Sequence, residues 1–167
     1  MSQTTVIVDA NVLVDYYSVG LLDLLALYSS EISQIQIPDV ILDEVDGLTE
    51  KLASVYKFVI IEVNTAIIQR AAQMKGGTSA QDNTCFLLAE IAHSICITSD
   101  KCLYNLCKNN GVRVQRNLYP ILELFRMAFL TKKEALEAGS KICQANLYLG
   151  SSVLTAFEKK LESVSNK

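Results

Sequence analysis

The chain has 167 residues, half of them hydrophobic and a fifth charged, with a formal net charge of −3. That length suits one domain with a real core, and the balance excludes the disordered and fibrous classes. The net charge also excludes a protein held to nucleic acid by bulk electrostatics, so any such contact must run through local basic patches or bound metal ions.

The first apolar run, Thr5-Val6-Ile7-Val8, is short, β-branched and unalternated, as expected of a strand buried on both faces. Asp9 ends it. A helix is expected over Asn11–Tyr17, and Gly20 separates it from a second over Leu21–Tyr28. A short strand around Ile35–Ile37 meets Pro38, which suits the first turn of a helix carrying Val40, Ile41, Glu44, Val45 and Leu48. Phe58–Val63 reads as the third strand, Thr65–Met74 as a helix, and Gly76-Gly77-Thr78 as a loop. The next helix, about Ala80 to His93, feeds the strand Ile95–Thr98. Asp100 closes that strand, a helix covers Lys101–Asn109, and Val112–Val114 makes a last short strand.

Strands alternate with helices, which argues for an α/β fold with a parallel sheet of four to five strands wrapped in helices. Beyond Tyr119 there is no strand signal. Ile121–Phe129 is apolar, Thr131-Lys132-Lys133-Glu134 opens a helix as a capping box, and Ser151–Leu161 reads as another. The expectation is one domain over 1–167, with a core over 4–116 and a helical C-terminal extension over 117–167.

Other classes find little support. The five cysteines (Cys85, Cys96, Cys102, Cys107, Cys143) are odd in number and form no CxxC pair, so reduced thiols are expected rather than a zinc site or disulfide framework. The start, MSQTTVIVDANV, carries no basic leader and no apolar signal segment, and no apolar run approaches the ~18 residues of a membrane span. A cytoplasmic protein is expected. The sole histidine, His93, sits at a helix end, which fits a structural role and leaves no Ser-His-Asp set without it. Neither a GxxxxGK[ST] loop nor a GxGxxG turn is present.

Four acids stand out. Asp9 and Asp100 lie at the carboxyl ends of predicted strands, the edge where open parallel sheets bind ligands. Glu44 should reach that edge from the helix after the second strand, and Asp82 from the first turn of the helix before the fourth. Each has a plain structural alternative: Asp9 and Asp100 as N-caps, Asp82 as the acid of a capping box with Ser79, and Glu44 on a solvated face. Caps need no convergence, however, and convergence has a consequence. Two carboxylates ~4 Å apart repel by ~4 kcal/mol at an effective dielectric of ~20. Four together need protons or cations, and oxygen-only ligation suits Mg²⁺ or Mn²⁺. Glu44 is favoured over its neighbours Asp43 and Asp46 because it shares a helical stripe with Ile41, Val45 and Leu48. Asp15, deeper in its helix, is a weaker fifth candidate.

The segments VIVDANVLVDYY, ILDEVDGL, TSAQDNTCFLLAE and ICITSDKCLYNLCKNNGVRV together resemble a PIN-domain ribonuclease, over about Val6 to Val114 and in the same order. The tail from Thr131 also resembles the helical end of VapC-type toxins of toxin–antitoxin pairs. The resemblance implies a three-layer α/β/α sandwich and hydrolysis of single-stranded or looped RNA with Mg²⁺ or Mn²⁺. It implies metal binding by Asp9, Glu44, Asp82 and Asp100, with Asn11 and Thr98 supporting the first and last acids by hydrogen bonding. An antitoxin partner and a homodimer are expected by the same analogy. The apolar stretch Leu21–Tyr28 with Tyr16-Tyr17 stands either as a groove for such a partner or as ordinary core and dimer contacts. Arg70, Lys75, Lys101, Lys108, Arg113 and Arg116 are the candidates for holding an RNA backbone.

Other functions compete. A haloacid-dehalogenase-type phosphatase wants DxD, and Asn11 stands where its second Asp belongs. A catalytically silent PIN-like RNA-binding or scaffold module, and a housekeeping RNA-processing nuclease without an antitoxin, both remain open.

Overall fold

The computed structural model of the chain describes residues 4–165, so the first three residues of the opening segment lie outside it. β1 (Thr4–Val8) forms where expected, and Val6, Ile7 and Val8 are fully buried, as a strand covered on both faces requires. α1 (Ala10–Ser18) and α2 (Leu22–Glu31) follow, meeting at Gly20, whose φ of +71° lies in the left-handed region. Next come β2 (Ser33–Pro38), a 3₁₀ helix over Asp39–Glu44, α3 (Glu50–Val55) and β3 (Val59–Ile61). α4 (Thr65–Gln73), α5 (Ala80–Ile91), β4 (Ile95–Ile97), α6 (Lys101–Asn109) and β5 (Val114–Gln115) complete the alternating part. The C-terminal helices are α7 (Tyr119–Arg126), α8 (Lys132–Ala145) and α9 (Ser151–Ser165).

The five strands make one parallel sheet in the order β3-β2-β1-β4-β5. Right-handed crossovers explain the layering. The chain steps from β1 to β2 in one direction across the sheet and from β4 to β5 in the other, so the connecting helices fall on opposite faces. Accordingly α2 packs on β2, and α5 packs on β1 and β4 with α4 and α6 beside it. The C-terminal helices join the first group: α7 lies on α2, α8 on α1 and α7, and α9 on α8 and α7. Strand order reverses between β1 and β4, the point where doubly wound sheets open a crevice at their carboxyl ends. Among the described residues, no helix is long and apolar enough to cross a membrane.

Local chemistry starts most of these helices. Asp9, Thr49, Asn64, Ser79, Asp100 and Thr131 each accept a backbone N–H from their own first turn. Such caps contribute about 1 kcal/mol apiece. The capping box expected at Thr131 is present, with Glu134 returning a bond to the Thr131 N–H at 2.8 Å.

The segment after β2 differs from expectation. Pro38 closes the strand instead of opening a helix, and the helix is a single 3₁₀ stretch. Asp39 turns back to accept the Val63 N–H at 3.2 Å, and Gly47, at φ +83°, ends the segment. Ile41, Val45 and Leu48 are buried while Glu44 is exposed, so the shared stripe expected for Glu44 does not form. α3, which follows at once, has no counterpart in the sequence reading, although Thr49 supplies an ordinary N-cap. The long α5 stops at Ile91 because His93 takes a left-handed φ of 51°.

Candidate active site at the carboxyl edge of the sheet

Asp9 follows β1 and is 3% exposed. Its backbone N–H continues the ladder to the Ile97 carbonyl at 3.1 Å, which holds it against the end of β4. Its Oδ2 accepts the Thr98 hydroxyl at 2.6 Å, and its Oδ1 accepts the Asn11 backbone N–H at 3.2 Å. Thr98, itself fully buried, accepts the Asp100 N–H at 2.9 Å on the same hydroxyl oxygen. Thr98 therefore joins the Asp9 carboxyl to the Asp100 backbone N–H. Asn11 contributes through its main chain, and its side chain is exposed.

Asp100 caps α6, with Oδ1 accepting the Leu103 N–H at 2.7 Å. Asp82 forms the capping box with Ser79: its Oδ2 accepts the Ser79 N–H at 3.1 Å, while the Ser79 hydroxyl accepts the Asp82 N–H at 3.0 Å. The structural roles foreseen for Asp9, Asp82 and Asp100 are thus all realised. None is exhausted by them, because a carboxylate offers about four lone-pair sites and a cap takes one.

The acids also act on one another. Burial raises the Asp9 carboxyl from 3.8 to about 6, and the charges of Asp82 and Asp100 push in the same direction against the Thr98 and Asn11 bonds. The Glu44 carboxyl is raised by partial burial and then by Asp82. Beneath them lies Cys85 of α5, whose thiol is pushed well up by burial and by the charges of Asp9, Asp82 and Glu44. Asp82 and Asp100 thus bear on Asp9 at the carboxyl ends of β1 and β4, and Asp82 alone of these acids bears on Glu44. They do not close on a common centre: among the described residues, no three His, Cys, Asp or Glu side chains stand close enough to hold a metal ion. The donor chemistry fits a hard divalent cation, since it is all oxygen and no cationic side chain acts on Asp9 or Glu44. Among the described residues, the spacing of these carboxyls does not form a site for one.

Asp15 has a different role. It is buried in α1 and accepts Asn117 Nδ2 at 2.8 Å, Asn146 Nδ2 at 2.7 Å and the Ser99 side chain. Burial still raises its carboxyl above the usual range. It ties α1 to the ends of β4, β5 and α8, and it is not drawn into the group formed by the other four. Asp43 and Asp46 are exposed.

The basic candidates separate. Arg70 pairs with Glu90 at 3.5 Å on the surface, and Arg113 donates to the His93 carbonyl. Lys75 and Lys108 are exposed, Lys108 in the last turn of α6. Only Lys101 and Arg116 of the six line a pocket beside the acids. The Leu21–Tyr28 stretch is core in large part: Leu22, Leu25 and Tyr28 are buried, as is Tyr16, whose hydroxyl donates to the Asn117 carbonyl. Tyr17 stays exposed. The five cysteines are free thiols.

Sequence reasoning missed Ser99, Asn117, Asn146 and Lys160, which shape this edge from three further segments. No protein-family model matches the chain, and no curated protein matches it.

Proposed function

We propose that this chain is a metal-dependent endoribonuclease of the PIN-domain type, with Asp9, Glu44, Asp82 and Asp100 as its metal-binding and catalytic acids. One observation carries the reading. Asp9 and Asp100 follow β1 and β4 at the strand-order reversal, and the charges of Asp82 and Asp100 bear on Asp9, the most buried acid of the four. The order and spacing of the four sequence motifs add to it.

Asp9 and Asp100 would hold the ion from the strand ends, with Asp82 and Glu44 facing them from α5 and the 3₁₀ helix. Mg²⁺ or Mn²⁺, if bound there, would supply a water of lowered pKa and a charge to steady the leaving oxygen at phosphorus. The chain's own contribution is placement. Thr98 fixes Asp9 and the Asp100 amide on one oxygen, and the Asp9 carboxyl is buried away from bulk water. The substrate is RNA. By the same family analogy, a protein antitoxin is the partner and a homodimer the assembly.

A second reading has its own support. Three of the acids already serve as helix caps, and no three stand at the spacing of a shared ion among the described residues. Both facts suit a PIN-like module that binds RNA or protein without turnover. Cleavage of labelled RNA with Mg²⁺ or Mn²⁺ separates the two. The nuclease reading expects cleavage by the wild type and a loss of at least about a hundredfold in Asp9→Asn and Asp100→Asn, the scale on which placed catalytic groups act. Equal rates in all three proteins would reject the site.

A further inference from the structure

The chain carries a net charge of −3, yet from Lys101 to Leu122 it has four basic residues and no acidic one. The fold gathers three of the four. Lys101, Tyr104 and Lys108 fall at i, i+3 and i+7 of α6 and share its outer face, while Leu103 and Cys107 are buried on the other. A rise of 1.5 Å per residue sets the two lysines about 10 Å apart along the helix. Arg116, just past β5, lies over the Tyr104 ring, 3.9 Å from its centre, and donates to the Ser99 carbonyl at 3.4 Å. Arg113, the fourth, turns away to the His93 carbonyl.

Charge and order together mark this face. Lys101, Lys108 and Arg116 are exposed and have no ion-pair partner among the described residues, whereas Arg70, Lys133 and Arg126 each have one. Three unpaired cations on a segment without acids favour a polyanion there. Arg116 is also held in one orientation by its two contacts. The Tyr104 ring takes one side of the guanidinium, and the Ser99 carbonyl takes one of its five donors. The remainder is exposed and already fixed, which suits a planar partner, since unpaired bases stack on arginine planes. The face also leads somewhere. α6 begins at its cap Asp100, one of the four acids, and Lys101 is the next residue.

We infer that single-stranded RNA docks along the outer face of α6, with phosphates on Lys101 and Lys108 and one base stacked on the Arg116 guanidinium. The inference rests on the ribonuclease reading of the acids and deepens it, since this face would hold the strand to one side of the bond to be cut. It selects three of the six basic candidates and leaves Arg70, Lys75 and Arg113 out. Phosphate contacts and stacking read no base edge, so this face imparts little sequence preference.

The test is binding of a labelled short oligouridylate, and of the same ribose–phosphate backbone without bases, to metal-free protein in chelator. Fluorescence anisotropy follows both between about 50 and 200 mM salt. Lys101→Gln and Lys108→Gln should each weaken both oligomers and lower the slope of affinity against salt, log on log, by about 0.7. Arg116→Lys keeps the charge and loses the plane, so it should weaken the oligouridylate about tenfold and leave the baseless oligomer unchanged. Lys141→Gln, in α8 on the other side of the sheet, should change neither. All four positions are exposed, and the thermal unfolding midpoint should stay as in wild type. Equal affinity of the wild type for the two oligomers overturns the inference, as does an unchanged salt slope in both lysine variants. Tighter binding of an acidic peptide of equal charge would make this a protein-binding face and overturn it too. RNA cleavage that is indifferent to all three substitutions rejects the face alone. Strand binding with the expected losses, by a protein that cleaves no RNA with either ion, rejects the nuclease reading and spares the face.

Discussion

Thr98 donates its hydroxyl proton to Asp9 across 89 positions of the chain, and the same oxygen takes the Asp100 N–H. One side chain thereby sets the ends of β1 and β4 relative to each other at the strand-order reversal. Its bond also opposes the burial that lifts the Asp9 carboxyl. Thr98→Val keeps the shape and removes the hydroxyl. It should lower stability by about 1–3 kcal/mol, the cost of leaving buried polar partners unmade, and move the Asp9 carboxyl further up. Thr98→Ser should restore both. Urea unfolding at pH 7 and an NMR titration of Asp9 read the two effects, and a valine variant indistinguishable from wild type in both would deny Thr98 this role.

Asp9 itself makes the metal-free protein pH-dependent. Its carboxyl titrates at about 6 in the fold against an ordinary 3.8. Between those values the native state binds more protons than the unfolded chain, so the stability that Asp9 contributes is full below about pH 4 and is lost as pH rises through 6. The gap corresponds to about 3 kcal/mol. Asp9→Asn cannot ionise; its one amide oxygen keeps the cap, and its NH2 meets the Thr98 hydroxyl with the donor reversed. In chelator it should be more stable than wild type at pH 7 and equal to it below pH 4. A variant less stable than wild type at neutral pH would show that the burial is already compensated.

Asp15 answers the opposite way. Its carboxylate receives Asn117, Asn146 and Ser99 from three other segments. Asp15→Ala strands two amide donors in the interior, and each buried unpaired donor costs about 1–3 kcal/mol. The variant should unfold at markedly lower urea, and its C-terminal helices should lose hydrogen-exchange protection first, because Asn146 ends α8. Uniform loss of protection, or none, would mean that Asp15 does not hold those helices to α1.

Much of this was legible because it is local. The β-branched run before Asp9, the capping box at Thr131 and the alternation of apolar segments each carry their signal within a few residues, and the parallel sheet follows from them. The segment around Glu44 was misread for the same reason. Ile41, Val45 and Leu48 fit a helical period, yet burial of those three and the left-handed Gly47 are met by a 3₁₀ stretch that leaves Glu44 outside. Asn117 and Asn146 carried no local sign at all. Their pairing with Asp15 spans 102 and 131 positions and exists only once the sheet edge and the C-terminal helices have assembled.

To act as a metal nuclease, the chain must let the acids at this edge share a divalent cation, although among the described residues no three of them stand close enough to do so. Crystals grown with Mn²⁺ and measured for anomalous scattering test it directly. A manganese peak is expected at about 2 Å from Asp9 and from at least one of Glu44, Asp82 and Asp100, with those carboxylates turned inward. Carboxylates still seated in their caps, with no metal between β1 and β4, would contradict it.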